Sequence, residues 1–496
     1  MNSDPFQHYD HLGFFNPYYF KTQIGEIIIN NNFSNLITRF DSQLAIDPIA
    51  IIEVLNNRFM LGDRTIIQNM YKSPWMARYN MQSFQWNFAD TPTHREKCEK
   101  EELIAEGLFK LLCEEIIGYI GQAKQIGILL SGGMDSRMVA GVLDYLIKTR
   151  QLEIGKVTAY TWGNDGCRDV VYAEVITKRL NWLWKHYTVS SSDLWENFKV
   201  AGHRGCEYSG IHLHAIPQIQ KDINDEVLLV GSYGDGIGRA EYQGVHVHRL
   251  TPINKGFKNF GNLIKHREYK KLKNLWNEDI YQYHKRYTDS KSYQKNELDY
   301  QLHYMRRMLN PCIELLNEVV PTYQVFTCPS VYQFMWSFDV KQRNDSIYMH
   351  MMKLFRTSLD DIPWARTGLP FGTFRGQPDK YLESHHSYSH FIQNNLIDKI
   401  ESKVLSDRIK NLNLFNPDAI KVLIKLVRNF PNNNIDYLER ITWLVSLDFF
   451  LEKFENVKVE VDEKASIDYF KASLLTPLRY LLLQIYRQII YKSIPN

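Results

Sequence analysis

One junction constrains this chain more than any other feature. Ile126-Gly127-Ile128-Leu129-Leu130 is a continuous apolar run that suits a strand buried on both faces. Ser131-Gly132-Gly133-Met134-Asp135-Ser136 interrupts it. From Arg137 to Ile147 the apolar residues Met138, Val139, Val142, Leu143 and Leu146 then return at helical spacing. Helical spacing also precedes the strand, from Glu101 to about Ile120, with Leu103, Ile104, Leu108, Leu111, Leu112, Ile116 and Ile117. A buried strand that passes through paired glycines into a helix is the unit of an open α/β sheet with a ligand loop.

The units that follow repeat that order. Lys156 to Trp162 reads as a strand, Gly163 to Arg168 as a loop and Asp169 to Leu180 as a helix. Val227-Leu228-Leu229-Val230 is a third buried strand, ended by Gly231-Ser232-Tyr233-Gly234-Asp235-Gly236. The expected class is α/β, a parallel sheet flanked by helices. Before it, short β-like runs such as Ile24-Gly25-Glu26-Ile27-Ile28-Ile29 and a helix near Pro48 to Asn57 suggest a reduced α+β unit. From about Asn296 onward helical patterns dominate, so the later chain is expected to be mostly helical. The expected division is residues 1–100, 101–390 and 391–496.

The glycine loop carries the chemistry. Gly132 and Gly133 let backbone N–H groups approach a ligand unobstructed, and the following helix adds its positive end, which favours an anion. Ser131 and Ser136 supply hydroxyls for phosphate oxygens. Asp135 repels a phosphate unless a cation lies between them, which points to a magnesium ligand. The glycine spacing and the Lys-Ser/Thr pair of a Walker loop are absent.

Ser131-Gly-Gly-Met-Asp-Ser136 resembles the SGGxDS element of the PP-loop ATP pyrophosphatases, and Gly231-Ser-Tyr-Gly-Asp235 resembles the G-x-G-x-D element of asparagine synthetases among them. Ala159 to Gly163 followed by Asp169 to Ala173, and Ala50 to Glu53 with Leu61 to Thr65, resemble further parts of that family. The resemblance, over roughly residues 45–375, implies a PP-loop/HUP-like core that binds ATP and Mg²⁺. Asp135 and Asp235 would share the metal. Backbone around Leu129, Trp162 and Gly231 would hold adenine, and Ser131, Gly132, Gly133, Ser136, Arg137, Ser232 and Gly234 would line the nucleotide. The implied activity is AMP-forming amide ligation between a carboxylate and an amine. A non-catalytic nucleotide-binding relative and a PP-loop RNA-modifying enzyme are the alternatives.

Some positions depart from the family pattern. Position 2 is Asn2 and no cysteine precedes Cys98, so the N-terminal unit lacks a glutaminase thiolate and is expected to be a truncated remnant. Relatives carry Glu or Tyr where Ser232 stands, with Tyr233 one step later. Gly236 replaces the acid that usually follows the aspartate. Gly368 stands where a lysine is expected after Arg366, so Lys353, Arg137 and Arg366 are the candidate cations for the reacting group.

Composition excludes several classes. With 59 Lys and Arg against 56 Asp and Glu, a net charge of +3 gives no reason to expect a nucleic-acid partner. The cysteines, Cys98, Cys113, Cys167, Cys206, Cys312 and Cys328, show no CxxC pair and suit a reducing cytoplasm. No signal peptide or transmembrane run is visible. A homo-oligomer is compatible with the sequence. His212-x-His214 and His246-x-His248 read as loop or core histidines because no ligand set accompanies them. Lys255 to Lys273 reads as a solvated helical face, and Leu475 to Tyr491 as a docking C-terminal helix.

Overall fold

The chain is described here as a computed structural model. It describes residues 6–458 except 15, 23–25, 41–42, 254–257, 289–290, 374 and 430–434, together with Leu478. Its N-terminal part pairs β1 (Tyr18–Lys21) antiparallel with β2 (Ile27–Asn30) on one side and β3 (Met70–Lys72) on the other. Residues 23–25, the start of the β-like run at Ile24, lie outside the described residues. Between β2 and β3 lies α1 (Pro48–Asn57). It starts where it does because the Asp47 carboxylate accepts from Ile49 N and proline fills the first turn, where its missing N–H is not needed.

A 20-residue helix, α2 (Glu101–Ile120), leads into the parallel sheet. The sheet is built from β4 (Gln125–Leu129), α3 (Met134–Lys148), β5 (Lys156–Trp162), α4 (Arg168–Leu180) and β6 (Leu183–Tyr187). After α5 (Ser191–His203), whose start is fixed by a Ser190–Asp193 capping box, come β7 (Val227–Val230) and the short α6 (Gly234–Arg239). Beyond a hairpin and the helix His266–His284 lies α7 (Ser292–Asp299), and β8 (Thr322–Gln324) adds the fifth strand. The order is β8-β7-β4-β5-β6, with every pair parallel. The chain therefore runs outward from β4 to β6, then crosses back to place β7 on the other side of β4. That reversal opens a crevice at the carboxyl ends of β4 and β7, where ligands of open α/β sheets bind.

The sequence reading and the structure agree closely on this core. Two strands were not foreseen. β8 is only three residues long behind Pro321, and β6 is an edge strand with an exposed Leu183, so neither carries a long apolar run.

Helices follow β8: α8 (Pro329–Trp336), α9 (Asp345–Met352), α10 (Ile397–Val404), α11 (Pro417–Asn429) and α12 (Ile435–Lys453). Leu423, Leu444 and Phe450 from this part share one core with Phe33, Leu36, Ile51 and Leu55 of the N-terminal part. The segment from Leu61 to Arg64 is held by two fully buried arginines. Arg306 donates to Gly62 O (3.1 Å) and Asp63 Oδ1 (2.7 Å), and Arg307 to Gly62 O (2.5 Å) and Arg64 O (2.8 Å). The C-terminal helix expected over Leu475 to Tyr491 lies outside the described residues apart from Leu478. No helix among the described residues is long and apolar enough to cross a membrane.

A buried ion pair joins α7 to the segment before α9. Arg343 donates to both oxygens of Glu297 (2.8 and 2.6 Å), which also accepts from Tyr242 Oη at 3.1 Å. Against the upward push of burial, the Arg343 guanidinium and then the His94 hydrogen bond hold the Glu297 carboxyl at about 2. A carboxyl lowered in the folded state adds stability above its ordinary value of 4.5 and loses it as pH falls toward 2. The urea midpoint should therefore drop across that window in the wild type, with a shallower drop in Glu297→Gln.

Candidate active site

A cavity of about 300 Å³ opens at the reversal point, lined by Leu129, Ser131, Gly133, Asp135 and Ser136 from the first loop and by Val230, Gly231 and Ser232 from the second. That volume lies at the lower end of small-molecule sites. In the first loop Gly133 N donates to Ser131 Oγ (3.1 Å) and Ser131 N to Ser136 Oγ (3.2 Å), so the two serines shape the turn. Gly133 caps α3 without a side-chain hydrogen bond, leaving the helix's first N–H groups to face the cavity. An anion there meets both those donors and the positive helix end.

The second loop packs directly on the first. A Cβ at Gly234 would lie 2.7 Å from Asp135 Cβ, and one at Gly231 would lie 3.0 Å from the Asp135 carbonyl carbon. Only glycine allows this approach. Gly234→Ala should displace the Asp135 side chain and cost about 1–3 kcal/mol of stability, as read by urea unfolding.

Close packing of the loops brings the two aspartates together. Arg239, buried and one helical turn after Asp235, contacts both with Nη2, at 3.8 Å from Asp135 Oδ1 and against Asp235 Oδ1. Its Nη1 meets Asp345 Oδ1 at 2.7 Å and Glu241 Oε2 at 3.9 Å. Arg366 completes the group, with Nη1 donating to Glu241 Oε2 at 2.8 Å and Nη2 at 3.6 Å from Asp235 Oδ2. Burial raises the Asp135 carboxyl above its ordinary range, opposed by Arg239, a Tyr348 hydrogen bond and Arg366.

These contacts allow a test of the expected magnesium. Four carboxylates face two guanidiniums, which leaves two formal negative charges, the charge of one divalent cation. Oδ1 of Asp135 and Oδ1 of Asp235 are both buried without a well-directed hydrogen bond. Magnesium is bound through one or two carboxylates plus waters and phosphate oxygens, so this donor set fits it.

At the other end the cavity is aromatic. Trp162 and His214 both line it and stack with ring centroids 5.8 Å apart and 22° between planes. His214 Nδ1 pairs with Tyr388 Oη at 2.9 Å, and burial lowers the imidazole well below its ordinary value, keeping it neutral. Asp169 and His385 line the same wall. The segment bearing His385 is pinned over the loop before α4 by Asn164 N to His385 O (2.9 Å) and Arg168 N to Leu382 O (2.9 Å).

Not every candidate residue reaches this cavity. Leu129, Ser131, Gly133, Asp135, Ser136, Trp162, Gly231 and Ser232 line it. Gly132 sits behind, with its N–H on Asp169 O (3.0 Å) and a would-be Cβ 2.9 Å from Ala365 Cβ. Arg137 is fully buried and donates to the carbonyls of Leu359, Ile362, Gly132 and Pro363. It braces the loop from the rear and does not face the ligand space. Tyr233 is fully buried in the sheet's core. Lys353 is exposed at the end of α9 and does not line the cavity.

The departures also acquire physical reasons. Gly368 has φ +68°, and a Cβ there would lie 2.7 Å from the Arg168 guanidinium carbon, so a lysine has no room. A Cβ at Gly236 would meet the Tyr242 ring at 2.9 Å. Arg239, Glu241, Asp345, Tyr348 and His385 are not singled out by the sequence, whereas Asp169 opens the family-like stretch Asp169 to Ala173 and His214 reads there as a loop or core histidine. Arg239 alone carried a readable sign, its i,i+4 spacing from Asp235 on one helix.

Residues 121–315 match the asparagine synthase family model. No curated protein matches the chain. The matched segment contains β4, both glycine loops and the two aspartates that meet at Arg239. Members of that family are ATP-dependent ligases forming carbon–nitrogen bonds. The domain match and the five-stranded parallel sheet agree, and residues 121–315 are similar to the asparagine synthase family.

Proposed function

We propose that this protein is an AMP-forming ligase that adenylates a carboxylate with ATP and passes the acyl group to an amine. One observation carries the reading: Asp135, which lines the cavity, and Asp235, a hundred positions later and outside its lining, meet one buried guanidinium. Asp135 and Asp235 would hold Mg²⁺, which would neutralise the departing pyrophosphate.

The chain's own groups supply the rest. The Ser131–Ser136 turn and the start of α3 receive phosphate oxygens, while Leu129, Trp162 and Gly231 bound the adenine end. The substrate's carboxylate oxygen attacks the α-phosphorus and pyrophosphate leaves. An amine nitrogen then attacks the acyl carbon and AMP leaves, its proton passing to solvent or a base. Arg366, 41% exposed beside Asp235, is the cation placed to meet an incoming anionic substrate. Residues 1–97 contain no cysteine, so no glutaminase thiolate comes from this part, and the amine is one borne by a peptide or small molecule.

A second reading has its own support. Arg239 lies between the carboxylates, and Ser232, Gly236 and Gly368 replace expected groups, which favours a protein that binds nucleotide without turning it over. Pyrophosphate–ATP exchange with a panel of carboxylates separates the two. Exchange dependent on one acid supports the ligase, whereas saturable ATP binding with no exchange under any acid supports the second reading.

A further inference from the structure

Outside the nucleotide cavity, three residues bring together groups that function does not use. His11 precedes β1, Glu115 lies on α2 and Cys328 is the N-cap residue of α8. Their ligand atoms all lie within 4.8 Å of one another. His11 Nε2 stands 3.9 Å from Glu115 Oε1, and Cys328 Sγ 2.8 Å from Glu115 Oε2. All three are largely buried, with side chains 12% and 19% exposed for His11 and Glu115.

We propose that His11, Glu115 and Cys328 form a binding site for a divalent metal of borderline softness, zinc(II) foremost, that ties the N-terminal segment to α2 and α8. Three arguments support it. First, the donor set is an imidazole nitrogen, a carboxylate oxygen and a thiolate, the three groups zinc takes. With bonds of about 2.0–2.3 Å, tetrahedral ligands stand roughly 3.3–3.7 Å apart, and the observed spacings bracket that range. Second, the outer shell is built. Asp10 Oδ1 lies 2.9 Å from His11 Nδ1, which fixes the ring so that Nε2 faces the other two ligands, the carboxylate–histidine–metal arrangement. Tyr323 Oη donates to Glu115 Oε1, holding the carboxylate from behind. Third, the charges call for a cation. A thiol and a carboxylate in contact are two groups that ionise to anions, and a metal ion balances both when the thiol proton leaves to solvent. Three protein ligands leave one tetrahedral position. The His8 ring, with its centroid 4.6 Å from that of His11, is the nearest further imidazole, and water is the other occupant.

The site is separate in sequence from the magnesium-binding aspartates, so its test does not depend on the ligase reading. The full-length protein is dialysed against chelator, titrated with ZnCl₂ and analysed by elemental mass spectrometry. The expected result is about one tightly held equivalent per chain, with near-complete loss in Cys328→Ser and in His11→Gln. Asp10→Asn should weaken affinity by about 10–100-fold. Cobalt(II) loading should give an intense thiolate-to-metal absorption in the wild type that Cys328→Ser lacks. Asp135→Asn should leave zinc uptake unchanged, which separates this site from the nucleotide cavity. The wild type provides the decisive reading, because it folds whatever the variants do. Failure of the wild type to retain zinc at micromolar concentration would overturn the proposal. So would zinc retained equally in both ligand variants, or Cys328 alkylation, followed by peptide mass mapping, that zinc does not slow.

Discussion

Asp135→Asn should lower pyrophosphate–ATP exchange by roughly 10³-fold while leaving the fold at least as stable as the wild type. The two halves of this expectation have one cause. Burial pushes the Asp135 carboxyl up, against Arg239, Tyr348 and Arg366, so the folded protein holds this charge at a cost. A neutral amide of the same shape removes that cost along with the proposed magnesium ligand. Asp235→Asn should act on exchange in the same direction. A variant that loses exchange and also unfolds early would show that Asp135 serves the structure instead.

Arg239→Met carries the opposite signature. Its guanidinium is buried and faces Asp135, Asp235, Glu241 and Asp345. Removing one partner of a buried ion group leaves uncompensated charge, at about 3–5 kcal/mol. Asp235 and Asp345 are partly exposed, 31% and 26%, so water screens part of this and the lower end is expected. Urea unfolding measures it. Because the carboxylates left behind attract cations, magnesium should raise the midpoint of Arg239→Met more than that of the wild type. An unmoved midpoint, or one indifferent to magnesium, would show that the carboxylates do not depend on Arg239.

The sequence shows the sheet well because its strands are buried on both faces. Such strands need runs of apolar residues, and β4 and β7 have them. The phosphate loop is readable for a related reason: two glycines and a helix start are local features. What escaped depends on long-range packing. Arg137 sits beside the loop in sequence, yet its guanidinium turns to four carbonyls behind it. From the sequence His214 reads as a loop or core residue, and the structure makes it part of the cavity wall together with His385. The His11, Glu115 and Cys328 cluster joins residues more than a hundred positions apart, so no spacing rule could show it.

Proximity of two aspartates explains the tight loops, the buried arginine and the charge left over. A crystal structure with ATP and Mn²⁺, read by anomalous scattering, tests it directly. One ion bound by the Asp135 and Asp235 carboxylates, with the phosphates at the start of α3, is the expected result. An ion held elsewhere, or a nucleotide outside this cavity, would contradict it.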